Sequence, residues 1–185
     1  MPLKPWKKLG EHTVVENPWW VYKKDDCRLP SGKMGEYHYV HSQGSALVIP
    51  MMSDGRILMV NQYRYLCQKE SIEFPCGSVR QGSSHEETAR SELREETGYA
   101  GDPLSLIAEF NPYNGVTDEM CRVYLARALR YVGGTPDETE EFELMRFLPQ
   151  EVDSLVVNGT IWDGMSIAAW FVAKNMISQL NWSAQ

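Results

Sequence analysis

The sequence predicts a single strand-rich α+β domain, and three features of its 185 residues lead to that class. Apolar, β-branched segments of strand length recur along the chain, bounded by Gly, Pro and Asp. A helix-start signature is doubled at Ser83 and Ser84, with a stop glycine at Gly98. An apolar stripe of helical period marks the C-terminal part of the chain. Hydrophobic residues make up 43% and charged residues 23% of the chain, enough for a core without staples. No repeat, low-complexity tract or linker divides it, so residues 1–185 are read as one domain.

The elements follow in order. Residues 14–23 and 36–41 read as an N-terminal antiparallel pair separated by the Leu29-Pro30-Ser31-Gly32 turn. Residues 45–51 and 56–63 are clearer strands, joined across Ser53-Asp54-Gly55, where Asp-Gly supplies the positive φ of a tight hairpin. Further strands are expected over 104–110, 121–129 and 142–148. Ser83 and Ser84 each precede a glutamate by three residues, Glu86 and Glu87, which predicts a helix over 84–97. A second helix is expected over 165–180, with Ile167, Trp170, Phe171 and Ile177 as its core-facing stripe.

Composition excludes several function classes. A net charge of −7 argues against a nucleic-acid partner, whose binding draws on neutralised phosphates. A small anionic substrate remains compatible if a metal supplies positive charge. The four cysteines, Cys27, Cys67, Cys76 and Cys121, form no C-x-x-C pair and read as free thiols in a reducing compartment. Neither a signal-peptide pattern nor the ~18 apolar residues of a membrane span is found. A cytoplasmic protein without a membrane partner is expected.

The chemistry concentrates between Glu73 and Tyr99. On a helix Glu92 and Glu96 lie one turn apart on one face with Glu95 adjacent, while Ala89 and Leu93 share a face suited to the core. Like-charged neighbours repel by roughly 0.2–0.5 kcal/mol per pair in water, and more when buried, so a cation is expected among them. Magnesium takes such oxygens, usually one or two carboxylates with waters and substrate phosphates. A solvated acidic face balanced by Arg90 and Arg94 would account for the same residues. Composition and periodicity alone do not separate the two.

Residues 77–99 resemble the Nudix box, G-x5-E-x7-R-E-U-x-E-E-x-G-U, in full register. Gly77, Glu92, Leu93, Glu95, Glu96 and Gly98 fall at its fixed positions, and Tyr99 takes the last, usually aliphatic, one. Ser83 stands where the family has its first Glu, and Ser91 where it has Arg. In the family those two side chains pair with each other while the later glutamates hold metal. Losing both strands no charge, so metal binding is still implied.

Outside the box, Asn61-Gln62-Tyr63-Arg64 and Ile72-Glu73-Phe74-Pro75-Cys76-Gly77 look like the Q-[YF]-R and E-[FL]-P-A-G runs of ADP-ribose and nucleotide-sugar pyrophosphatases. The turn at 29–32 and the segment 159–167 are similar to those of the same branch. The resemblance implies a Nudix fold, an α/β/α sandwich with a mixed sheet, the box helix, a C-terminal helix and extra N-terminal strands. It implies that Glu92, Glu96 and the Cys76 carbonyl hold Mg2+, for which Mn2+ substitutes, with Glu95 in support. Arg64 and Glu73 map to substrate contacts; as a plain residue Arg64 would be a strand-edge surface charge. The acidic loop carries the family's catalytic glutamate, which aligns best with Glu140, Glu138 being its alternative.

Trp19 and Trp20 are read at the start of a strand, one facing in and one out. In dimeric relatives aromatic residues at this place stack on the nucleobase, and core or dimer packing explains them equally well. Residues 1–43 are expected in a homodimer interface. The function implied is hydrolysis of nucleoside diphosphate sugars, ADP-ribose foremost. The rivals are hydrolysis of another diphosphate, such as a dinucleotide polyphosphate, and a silent nucleotide-sensing domain.

Overall fold

The computed structural model describes residues 2–134 and 141–182. Its centre is β4 (Ser45–Pro50), buried at every position. A strand buried on both faces must be apolar throughout, which is why Ala46-Leu47-Val48-Ile49 shows no alternation. Leu47 and Ile49 pack to one side with Phe74, Trp170, Ala173 and Ile177. Ala46 and Val48 pack to the other with Ala89, Leu93 and Tyr124.

Around β4 runs a mixed sheet. β7 (Cys76–Ser78) pairs antiparallel with β4, β10 (Cys121–Ala126) pairs parallel with it, and β9 (Leu104–Phe110) closes the far edge. The helix α1 (His85–Thr97) covers one face, and α3 (Gly164–Trp182) covers the other. This is the α/β/α sandwich expected. β5 (Ile57–Arg64) joins β6 (Lys69–Glu73) and β12 (Glu143–Phe147) in an antiparallel sheet, and short β8 (Tyr99–Ala100) pairs with β11 (Arg130–Tyr131). No helix among the described residues is long and apolar enough to cross a membrane.

Three departures from expectation have local causes. The N-terminal pair is a three-stranded sheet of β1 (Lys7–Glu16), β2 (Val21–Arg28) and β3 (Met34–His41). The strand expected over 14–23 straddles a turn, where Asn17 Oδ1 accepts the N–H of Trp19 (2.9 Å) and of Trp20 (3.0 Å). Both faces of β1 are exposed, so no alternation marked it. The strand expected to reach residue 129 ends at Ala126, because Ala128 takes a positive φ of 47°.

α2 (Pro149–Val157) was not among the expected elements; Val152, Val156 and Val157 are poor helix formers and weaken its signal. Its signals are Pro149 in the first turn and Glu151, whose carboxylate accepts the Leu148 N–H at 2.7 Å. On α3, Trp170 is buried and donates to Asp153 of α2 at 2.8 Å, but Phe171 is 72% exposed. One residue on turns it about 100° round the helix, off the arc of Ser166, Ala169, Ala173 and Ile177 that faces the core.

Candidate active site

α1 begins at a single capping box. Ser84 Oγ accepts the Glu87 N–H at 3.2 Å, and Glu87 Oε2 accepts the Ser84 N–H at 2.8 Å. That backbone bond holds the Glu87 carboxyl below its usual range. Ser83 takes no part in the cap, because its counterpart Glu86 turns to Arg90 (2.9 Å). Gly98 ends the helix at φ 75°, donating its N–H to Arg94 O at 2.8 Å. The solvated reading is therefore right for Glu86 and Glu87, which leaves Glu92, Glu95 and Glu96.

Burial of Ala89 and Leu93 against the sheet sets which way those three face. Glu92 lies over Gly77, and a Cβ on that glycine would overlap the Glu92 carboxylate. Glu96 is only 8% exposed. The Cys76 thiol is pushed well above its ordinary pKa by its contact with the Cys121 thiol and by burial, with Glu96 and Glu92 adding smaller effects. The family resemblance assigns the metal contact at this position to the Cys76 carbonyl, a backbone atom that does not depend on the state of the thiol. Glu95 is exposed.

Among the described residues no three His, Cys, Asp or Glu side chains gather as a closed metal cage. Magnesium does not require one, since it keeps several waters and takes one or two carboxylates. Two carboxylates one turn apart, with one seated in the space a glycine leaves beside Cys76, fit that kind of ion.

A polar cavity of about 140 Å³ lies between residues 78–84 and α1, lined by Ser83, Ser91, Glu92, Glu95 and Arg80 among others. Ser83 and Ser91 are thus brought to one space, as the box register expects. Arg80 was missed in the sequence, where it stands in no recognisable pattern.

Arg64 and Glu73 are brought to each other. Arg64 Nε donates to Glu73 Oε1 at 2.8 Å, and Nη2 bonds the second oxygen. Glu73 is 3% exposed, and Gln62 Nε2 donates to it at 3.4 Å. The pairing raises the pKa of Arg64, with Asp163 and Glu96 contributing from nearby. Arg64 is therefore the outer member of a partly buried pair and not a loose edge charge. Trp19 and Trp20 sit in the β1–β2 turn, exposed at 79% and 43%, so neither is a core residue of the protomer. Glu138 and Glu140 lie outside the described residues.

The NUDIX domain profile matches residues 41–163, well over half of the chain. The chain belongs to the Nudix family. The profile of the nucleoside diphosphate sugar hydrolase N-terminal domain matches residues 6–40, the three-stranded N-terminal sheet. The ADP-ribose pyrophosphatase of Bacillus subtilis is 32% identical over 170 residues, 88% of this chain and 92% of its own. A Streptomyces rubellomurinus CMP-5'-(N-acetyl-N-hydroxy-3-aminopropyl)phosphonate hydrolase is 30% identical over 164 residues, 88% of this chain and 79% of its own. A crystal structure of an ADP compounds hydrolase superposes with a TM-score of 0.84 over 97% of this chain and 98% of its own, at 17% identity.

Against the Nudix pattern, the two serines put small hydroxyls where a charged pair is usual. A lone Glu at 83 or Arg at 91 lacks the partner the family gives it, but Arg80, Glu92 and Glu95 share this open cavity, so the cost is well below the ~3–5 kcal/mol of a fully buried stranded charge. Ser83→Glu and Ser91→Arg are each expected to destabilise the protein, and the double substitution to recover much of the loss. A double-mutant cycle on denaturant unfolding reads this as departure from additivity. Strict additivity would mean that the new side chains do not meet.

Proposed function

We propose that this Nudix chain hydrolyses the diphosphate of nucleoside diphosphate sugars, with ADP-ribose the leading candidate, yielding a nucleoside monophosphate and a sugar phosphate. The observation that carries the reading is the Glu92 carboxylate seated over Gly77, with buried Glu96 on the same helix face. The names of the relatives support the substrate class. A nucleotide sugar also suits an acidic protein, because a metal and a few local cations can bind its diphosphate without a basic surface.

Glu92, Glu96 and the Cys76 carbonyl would hold Mg2+ or Mn2+, supported by Glu95. Such an ion polarises a phosphoryl group and lowers the pKa of an attacking water. Arg64 has five N–H donors and spends two on Glu73, so the others remain for phosphate oxygens. Glu73 acts through Arg64, fixing its plane, as well as by any direct contact with ribose or base. The proton of the attacking water goes to Glu140, with Glu138 as the alternative acceptor.

We place the reaction in the cytoplasm and in a homodimer. The N-terminal sheet supports the dimer: Leu9, Val14, Val15 and Met34 are all exposed on it, as are Trp19 and Trp20 at its turn. In a dimer the role of the two tryptophans would be to stack on a nucleobase or to pack in the interface. A second reading, a nucleotide sensor without turnover, draws on Ser83 and Ser91.

A panel of ADP-ribose, other nucleotide sugars, a CMP-linked phosphonate and a dinucleotide polyphosphate, read as released monophosphate with Mg2+, separates these readings. ADP-ribose is expected to lead. Glu96→Gln should lose activity by orders of magnitude with its fold kept, and Glu140→Gln should lower kcat by roughly 10²- to 10⁴-fold with KM little changed. Tight binding without any release would favour the sensor, and a crippled Glu138→Gln beside an active Glu140→Gln would move the base by two residues. Sedimentation at micromolar concentration should give a dimer; a fully active monomer would refute that assembly.

A further inference from the structure

Between β6 and β7 the chain crosses from one sheet to another through only two residues, Phe74 and Pro75. Proline has no N–H, so the Phe74 N–H is the sole backbone donor of this crossover. Phe74 is 1% exposed, and a buried N–H left without a partner is costly. Its partner comes from 92 residues away: Ser166 Oγ accepts it at 3.0 Å. Ser166 is itself 1% exposed, and its N–H donates to Asp163 Oδ2 at 2.7 Å in the first turn of α3. On the other side Pro75 O accepts the Val48 N–H at 2.9 Å. The crossover is thus held by the central sheet on one side and by α3 on the other.

What the crossover connects gives this clamp its meaning. Immediately before it stands Glu73, whose carboxylate orients Arg64. Immediately after it stand Cys76 and Gly77, the carbonyl donor and the seat of the Glu92 carboxylate. A slip of the Phe74 peptide would move both the phosphate-binding arginine and the metal donors.

We infer that Ser166 is a positioning residue for the active site, fixing residues 73–77 through the Phe74 N–H; the inference rests on the metal-dependent hydrolysis proposed above. Ser166 touches no reacting atom. Groups that orient metal donors from one shell out typically change metal affinity or activity by roughly 10- to 100-fold when lost.

The test compares the full chain with Ser166→Ala and Ser166→Cys, the second keeping a heteroatom at that place, somewhat larger and a weaker acceptor. Two readings are taken without nucleotide: Mn2+ affinity by calorimetric titration, and hydrogen exchange of the Phe74 amide. Ser166→Ala is expected to bind Mn2+ roughly tenfold or more weakly and to exchange the Phe74 amide faster while the Val48 amide keeps its protection. Ser166→Cys should fall between Ser166→Ala and the parent, and it decides the matter if the alanine variant does not fold. Unchanged Mn2+ affinity in the folded variants, even with a lowered thermal midpoint, would overturn the inference and leave Ser166 a structural residue. Neither reading uses turnover, so an inactive parent chain would count against the proposed reaction and not against Ser166.

Discussion

The Glu92 carboxylate occupies the volume that a side chain would fill at Gly77. That approach of a helix to a strand rests on packing beneath it, since Ala89 and Leu93 are small and medium apolar groups seated on Val48 and Ala46. The helix can settle low because β4 presents Ala46 and Val48, both buried and apolar, on the face beneath it. Its lower face is then fixed by the core, and its acidic face has one place to go, against β7 and the crossover that precedes it. A Cβ at residue 77 would lift the helix or expel the carboxylate, and with either change Glu92 and Cys76 would lose their relation.

The electrostatics follow from the same arrangement. The chain carries a net charge of −7 yet brings carboxylates together on α1. Glu86 is balanced by Arg90, and Glu87 is spent on the helix cap. Arg64 is committed to Glu73 and so keeps a fixed plane beside the acidic face. A polyanion approaching this region would meet the oriented Arg64 and, on the proposed reading, a cation held by Glu92 and Glu96. Fixed charges of this kind need no reorganisation when the substrate binds.

Much of this was legible in the chain because it is encoded locally. The box spacing from Gly77 to Tyr99, the cap at Ser84 and the stop at Gly98 all act within one or two turns of helix. The strands around Asp54-Gly55 were equally plain, and Gly55 takes the positive φ expected of it. Beyond a single Met51–Ile57 bridge, however, β4 and β5 part into different sheets and do not pair as the expected hairpin, because β7 and β10 take both edges of β4. Pairings set by tertiary approach were not legible. Arg64 and Glu73 look like two independent polar residues until β5 and β6 fold together. Ser166 and Phe74 are 92 residues apart, and no period links them. Trp19 and Trp20 misled because a strand pattern was drawn through the Asn17 turn. Phe171 misled because a stripe read one residue too wide looks the same in sequence.

The central claim is that a divalent cation sits between α1 and β7. The alternative is the pair Glu70 and Glu143, which both accept from Asn61 Nδ2, at 3.3 and 3.4 Å. Paramagnetic broadening by substoichiometric Mn2+ decides between them, because it falls steeply with distance and reports on each amide separately. The account predicts that amides of residues 76–77 and 92–96 fade first, while those of 61, 70 and 143 persist. Broadening centred on Asn61, Glu70 and Glu143, or spread evenly over the acidic surface, would contradict it.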